Sequence, residues 1–120
     1  MKNIIHVDNS EFFRKQMRIF LEENGFVVEG FDSAQEANLT IGAGSADMVI
    51  MGLTFTDTDG YDFAKRVVES FTGPVVVVSA SLTKEKANRL KEMGILAAFD
   101  KAASWKEGIA PHLSALKERG

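Results

Sequence analysis

The sequence predicts an α/β fold, a five-stranded parallel sheet doubly wound by helices in a (βα)5 order. Three observations carry that expectation. Five short apolar runs alternate with five amphipathic stretches from end to end. The connections between them are short, as right-handed crossovers allow. Two of the runs, Met48 to Met51 and Val75 to Val78, are apolar without alternation, the pattern of strands covered on both faces.

Each element has its own signal. Ile4-Ile5-His6-Val7 reads as a buried strand that ends at Asp8. Ser10 to Glu23 reads as a helix, because Phe13, Met17, Phe20 and Leu21 recur at helical spacing. Asn24-Gly25 stops it, with the glycine free to enter the left-handed region. Phe26 to Phe31 is a second strand. Ser33-Ala34-Gln35-Glu36 has the form of a capping box and opens a second helix that ends at Gly42-Ala43-Gly44. Met48 to Met51 is the third strand, and a third helix runs from Gly60 to about Ser70. Thr72-Gly73-Pro74 leads into the valine strand, whose β-branched side chains favour a sheet. Thr83 to Met93 is a charged helix stopped by Gly94, and Leu96 to Phe99 is a weaker fifth strand. A last helix runs to about Arg119. Ser104-Trp105-Lys106-Glu107 has capping-box form, but Pro111 follows seven residues later. A proline inside a helix removes a hydrogen bond, so the main helix is expected to begin nearer Glu107 or to kink.

Composition narrows the classes. The chain has 120 residues, which suits one domain over residues 1–120 with a core that needs no staples. It contains no cysteine, which removes disulfides and thiolate chemistry and suits a reducing cytoplasm. The formal charge is −3, so no electrostatic footprint for nucleic acid is expected. No apolar run approaches the ~20 residues that span a bilayer, and the first residues do not have the form of a signal peptide. Neither a nucleic acid nor a membrane is therefore an expected partner.

In doubly wound sheets the working groups lie at the carboxyl ends of the strands, near the switch in strand order. Here those ends carry Asp8-Asn9, Gly52, Ser79-Ala80 and Lys101. Together with Thr58-Asp59-Gly60-Tyr61-Asp62-Phe63, with Pro74 before the fourth strand, and with Gly94 before the fifth, they resemble the receiver domains of response regulators in bacterial two-component systems. The resemblance covers nearly the whole chain. It implies the flavodoxin-like, three-layer fold of the chemotaxis regulators and a role in phosphorelay signal transduction.

The departures from that family matter as much as the matches. The family's third strand ends in a phosphoacceptor aspartate eight residues before the turn glycine, and here that position is Gly52. Asn9 stands for the second member of an acidic pair, Ala98 for the switch aromatic, Thr56 for a loop proline, and Ala102 for a proline after the lysine. The resemblance therefore implies a degenerate receiver, a pseudo-receiver with no catalytic group and no enzymatic activity. Aspartyl phosphorylation needs a carboxylate nucleophile and a divalent ion. A regular pocket would carry about two net negative charges to attract magnesium, an ion that prefers carboxylate and phosphate oxygens. A pocket of Asp8, Asn9, Gly52, Ser79 and Lys101 sums to near zero, so no cofactor and little magnesium binding are expected. Lys101 and Asp8 are expected to meet directly or through water.

The resemblance also implies a protein partner: a histidine kinase, an effector domain or another receiver. By the resemblance, the face formed by the fourth helix, fifth strand and fifth helix would include Lys84, Arg89, Lys91, Ala98 and Trp105. Two other functions stay open. Asp57 could act as a displaced phosphoacceptor, although Asp57 and Asp59 also read as turn residues. The strand ends could instead hold a small molecule, although no glycine-rich phosphate loop follows the first strand. Asp8 can equally cap the first helix, Ser79 can bond only to local backbone, and Lys101 can be a surface lysine. His6 reads as a core histidine satisfied by its surroundings rather than as a ligand. Trp105 reads either as a residue packed on the body of the domain or as part of a partner surface.

Overall fold

The computed structural model describes residues 1–119; Gly120, the last residue of the expected domain, lies outside the described residues. Ten elements alternate along the described residues: β1 (Asn3–Val7), α1 (Glu11–Glu23), β2 (Val27–Phe31), α2 (Ala34–Gly42), β3 (Met48–Met51), α3 (Gly60–Ser70), β4 (Val75–Ser79), α4 (Lys84–Met93), β5 (Ala97–Asp100) and α5 (Trp105–Glu118). All strand pairs are parallel, in the order β2-β1-β3-β4-β5. The expected doubly wound (βα)5 fold is therefore what forms.

Alternation along the strands divides the core into two layers. Ile5, Val7, Val49, Met51, Val75 and Val77 face Ala34, Ala37 and Ile41 of α2, Phe63, Ala64 and Val67 of α3, and Leu90 of α4. Ile4, Met48, Ile50, Val76 and Val78 face Phe13, Met17 and Leu21 of α1 and Trp105, Ile109, Leu113 and Leu116 of α5. Because both faces of β3 and β4 are covered, their apolar runs carry no polar alternation. The strand order reverses at β1 and β3, which places the crevice of the fold beyond Val7 and Met51.

Local chemistry sets the helix ends. The side chains of Ser10, Ser33, Asp59 and Thr83 accept hydrogen bonds from the first turns of α1, α2, α3 and α4, satisfying donors that helices otherwise leave free. Gly25, just past α1, has φ +89°, as its place after Asn24 predicts. At Gly60 a Cβ would collide with the Leu53 carbonyl. Only glycine lets the β3–α3 loop close back on the start of α3.

The last helix differs from expectation. α5 starts at Trp105 rather than near Glu107, and Ser104 makes no side-chain cap bond. Pro111 lies inside α5 and faces solvent. The cost of the missing donor at proline is outweighed by burial of Trp105, Ile109, Leu113 and Leu116, spaced to line one face. Among the described residues no peptide bond is cis, so Lys101–Ala102 is trans.

Candidate functional site

Asp8, Gly52, Ser79 and Lys101 converge at the carboxyl ends of β1, β3, β4 and β5. Parallel pairing places Val7 opposite Met51, so the next residues, Asp8 and Gly52, stand side by side. The Gly52 amide donates to the Val7 carbonyl at 2.9 Å. Ser79 pairs with Asp100 across β4 and β5, and the Lys101 amide donates to the Ser79 carbonyl at 3.0 Å.

Asp8 is the anionic centre of this site and is 2 % exposed. The Ser10 amide donates to Oδ1 at 2.8 Å. The Lys101 ammonium donates to the same oxygen at 3.2 Å and stands 2.9 Å from Oδ2. The Oδ2 contact is ionic, without the alignment of a hydrogen bond. A buried carboxylate is tolerated only with such a counter-charge. Arg14 of α1 donates to the Asp8 carbonyl at 2.6 Å, holding α1 against the end of β1. Asp8 thus both bonds at the entry to α1 and forms the pocket, and the direct Lys101–Asp8 contact is as expected.

Gly52 leaves space that Asp8 uses. A Cβ built on Gly52 would lie 2.8 Å from Asp8 Oδ2 and 3.4 Å from its Cγ. These distances are shorter than a comfortable contact, so the carboxylate sits where a side chain on residue 52 would begin. Asn9 is exposed at the rim. The Ser79 hydroxyl donates to the Ala80 carbonyl at 3.3 Å, the local bond considered for it.

Asp57 does not lie free in the loop. The Ala34 and Gln35 amides donate to its two carboxylate oxygens at 3.4 and 2.9 Å. It therefore caps α2 from the β3–α3 loop, where the positive end of a helix favours its charge. Asp59 caps α3. Among the described residues no group of three or more His, Cys, Asp or Glu side chains could hold a metal ion.

One residue of the expected partner face needs correction: of the two readings of Trp105, packing on the body of the domain is the one that holds. Trp105 is only 7 % exposed. Its indole packs edge-on against Phe13 and Phe20 of α1, at 5.1 and 5.5 Å between ring centres. Covering apolar α1 surface outweighs any gain from exposing so large a ring. Arg89 is exposed on α4, with its guanidinium 4.0 Å from the centre of the Tyr61 ring of α3. Lys84 and Lys91 are exposed and lie seven residues apart, on one side of α4. Ala98 is half-buried against the α2–α3–α4 layer.

Sequence reasoning missed three contributors. Phe13 carries the Lys101 ammonium 4.4 Å above its ring centre. Arg14 binds the Asp8 carbonyl. Asp100 accepts from the Leu82 amide at 2.9 Å and the Ala102 amide at 2.8 Å, tying the β4–α4 and β5–α5 loops together. Apolar periodicity marked Phe13 only as core, and no local pattern marks the other two. His6, one layer below Asp8, is 1 % exposed and neither ring nitrogen has a hydrogen-bond partner. Burial first, then the nearby cations Lys101, Arg14 and Arg18, lower its pKa from 6.5 to about 3. It is a neutral core histidine, but not the satisfied one expected: among the described residues nothing packed around its ring offers a hydrogen bond to either nitrogen.

A doubly wound sheet with an aspartate and a lysine meeting beyond its β1–β3 switch point has the layout of a signalling receiver. The chain belongs to the response regulator receiver domain family, whose profile matches residues 4–110. It is similar to the protein-glutamate methylesterase/protein-glutamine glutaminase 3 of Hahella chejuensis (strain KCTC 2396), 32% identical over 66% of this chain and 23% of that protein. It is also similar to the KDP operon transcriptional regulatory protein KdpE of Escherichia coli (strain K12), 28% identical over 86% of this chain and 42% of that protein. A two-component response regulator from Clostridium difficile superposes with a TM-score of 0.87 at 19% identity, covering 99% of this chain and 98% of that one. That last likeness shows the fold. The chain spans less than half the length of the curated relatives it matches.

Proposed function

We propose that this receiver acts through protein contact in a single pocket state, without accepting a phosphoryl group at the end of β3. One observation carries the reading: the residue at that strand end is glycine, and the neighbouring Asp8 carboxylate lies 2.8 Å from where its Cβ would be and is paired with Lys101. A nucleophile is absent from the strand tip. The remaining carboxylate is covered and paired, so little net negative charge is left to draw in magnesium. A switch needs two arrangements that a ligand can tell apart, and the methyl of Ala98 offers no ring to swing. The domain is read as a non-enzymatic module. Its partner would be a histidine kinase, an effector domain or another receiver, met in part through the exposed lysines Lys84 and Lys91 on α4.

The alternative acceptor, Asp57, has less support because both of its oxygens are engaged by α2. Small-molecule binding at the strand ends also has less support. The groove of about 690 Å³ beside α4 is lined by Tyr61, Thr83 and Arg89 and by none of Asp8, Gly52, Ser79 and Lys101. Incubation with acetyl phosphate and magnesium, followed by intact mass measurement, tests the proposal. Unchanged mass is the expected result. A stable gain of one phosphoryl group overturns it, and peptide mapping to Asp57 would establish the displaced acceptor.

A further inference from the structure

The pocket lysine touches two things, Asp8 and an aromatic ring. Its ammonium is 2.9 Å from Asp8 Oδ2 and 4.4 Å from the Phe13 ring centre. A cation above a ring face is attracted by the ring's quadrupole. Phe13 in turn meets Trp105 edge-on, 5.1 Å between centres with planes at 63°, and Trp105 meets Phe20 at 5.5 Å and 79°. Phe13 and Trp105 are 5 % and 7 % exposed, so neither can move without displacing its neighbours. The stack joins the first turn of α1 to the first residue of α5. By contrast, the route from Ser79 toward Ala98 ends in a local backbone bond and a methyl group.

We infer that Phe13 is a positioning residue for the pocket lysine, and that the stack Lys101–Phe13–Trp105 links the placement of that lysine to the junction of α1 and α5. In the native pocket the Lys101 side chain, 24 % exposed, lies on Asp8 over the Phe13 ring and completes the stack from above. Loss of its anchor would let it turn to water, leave the Phe13 face open to solvent and alter the field and packing at the indole. The single pocket state of the native domain is then the one in which this stack is complete. The inference concerns the lysine and not phosphoryl transfer, so it holds whichever way the acetyl phosphate experiment falls.

Trp105 is the only tryptophan, so the far end of the stack has its own probe. The test compares the indole NMR resonance and tryptophan fluorescence of the whole chain before and after Asp8→Asn, which removes the anchor of Lys101. Three backgrounds are used: Phe13, Phe13→Tyr, which keeps a ring, and Phe13→Leu, which keeps an apolar side chain without one. The expected result is an indole shift on Asp8→Asn with Phe13, the same shift with Tyr, and its loss with Leu, while resonances of α3 and α4 stay in place. An unmoved indole in the Phe13 background overturns the inference, as does an undiminished shift with Leu. Should the leucine variant fail to fold, Lys101→Gln with Phe13 intact decides. It should move the indole in the same direction as Asp8→Asn, and an unmoved or oppositely moved indole overturns the coupling.

Discussion

His6→Leu should stabilise the domain more at pH 5 than at pH 7, by about 2 kcal/mol. His6 is buried, has no hydrogen-bond partner, and has a pKa lowered to about 3 against 6.5 for the free side chain. Its folded value lies below its unfolded value, so the unfolded chain takes up a proton that the native state refuses. Stability from this group is therefore intact above pH 6.5 and is lost as pH falls from there toward 3. At pH 5 the unfolded imidazole is protonated roughly 30 to 1, which costs about 2 kcal/mol; at pH 7 the cost is near zero. The pH 5 figure depends little on the native value, provided that it lies well below 5. Leucine has no proton to take and no nitrogen to leave unpaired, so at pH 7 the variant should match or exceed the parent, within ~1–3 kcal/mol. Urea unfolding of both proteins at both pH values is the assay. Carboxylates common to the two proteins cancel in the difference. An equal gap at pH 5 and pH 7 would refute the reasoning, because it would mean that native His6 protonates as readily as the unfolded residue.

Three further outcomes follow from the site. Lys101→Met should cost more than Asp8→Asn, about 3 against about 1 kcal/mol by chemical denaturation, because it strands a carboxylate that is 2 % exposed, whereas the lysine is 24 % exposed and can turn to water; equal costs would contradict this asymmetry. Gly52→Ala should cost about 1 kcal/mol in the parent, since its Cβ would press on Asp8 Oδ2, and nothing or less in an Asp8→Ala background; additive effects in that double-mutant cycle would contradict it. Asp57→Ala should destabilise by about 1 kcal/mol through loss of the α2 cap and leave the response to acetyl phosphate unchanged; an unchanged unfolding midpoint would count against the cap.

The elements were legible where local chemistry agrees with topology. β3 and α3 fall where the apolar run Met48–Met51 and the turn before Gly60 place them, and Ser33 caps α2 as its spacing to Glu36 implies. The start of α5 was not legible, because the capping-box pattern at Ser104 forms no side-chain bond and Pro111 is tolerated on the exposed side of a helix held by its buried face. The pocket positions were legible because parallel strands deliver their end residues to one edge of the sheet. What was hidden is long-range. Asp57 serves helix donors 22 and 23 residues earlier, Asp100 serves a loop 18 residues earlier, and Phe13 reads as core until the fold brings Lys101 over its ring. Trp105 carries no local sign of which surface it covers, and only the docking of α5 on α1 decides it.

Magnesium titration followed by backbone amide NMR bears most directly on the closed pocket. The amides of Ser10, Gly52 and Lys101 report on the carboxylate and lysine beside them. The account predicts no saturable shift at these three amides through millimolar magnesium. A saturable shift shared by all three, with Lys101 released from Asp8, would contradict it.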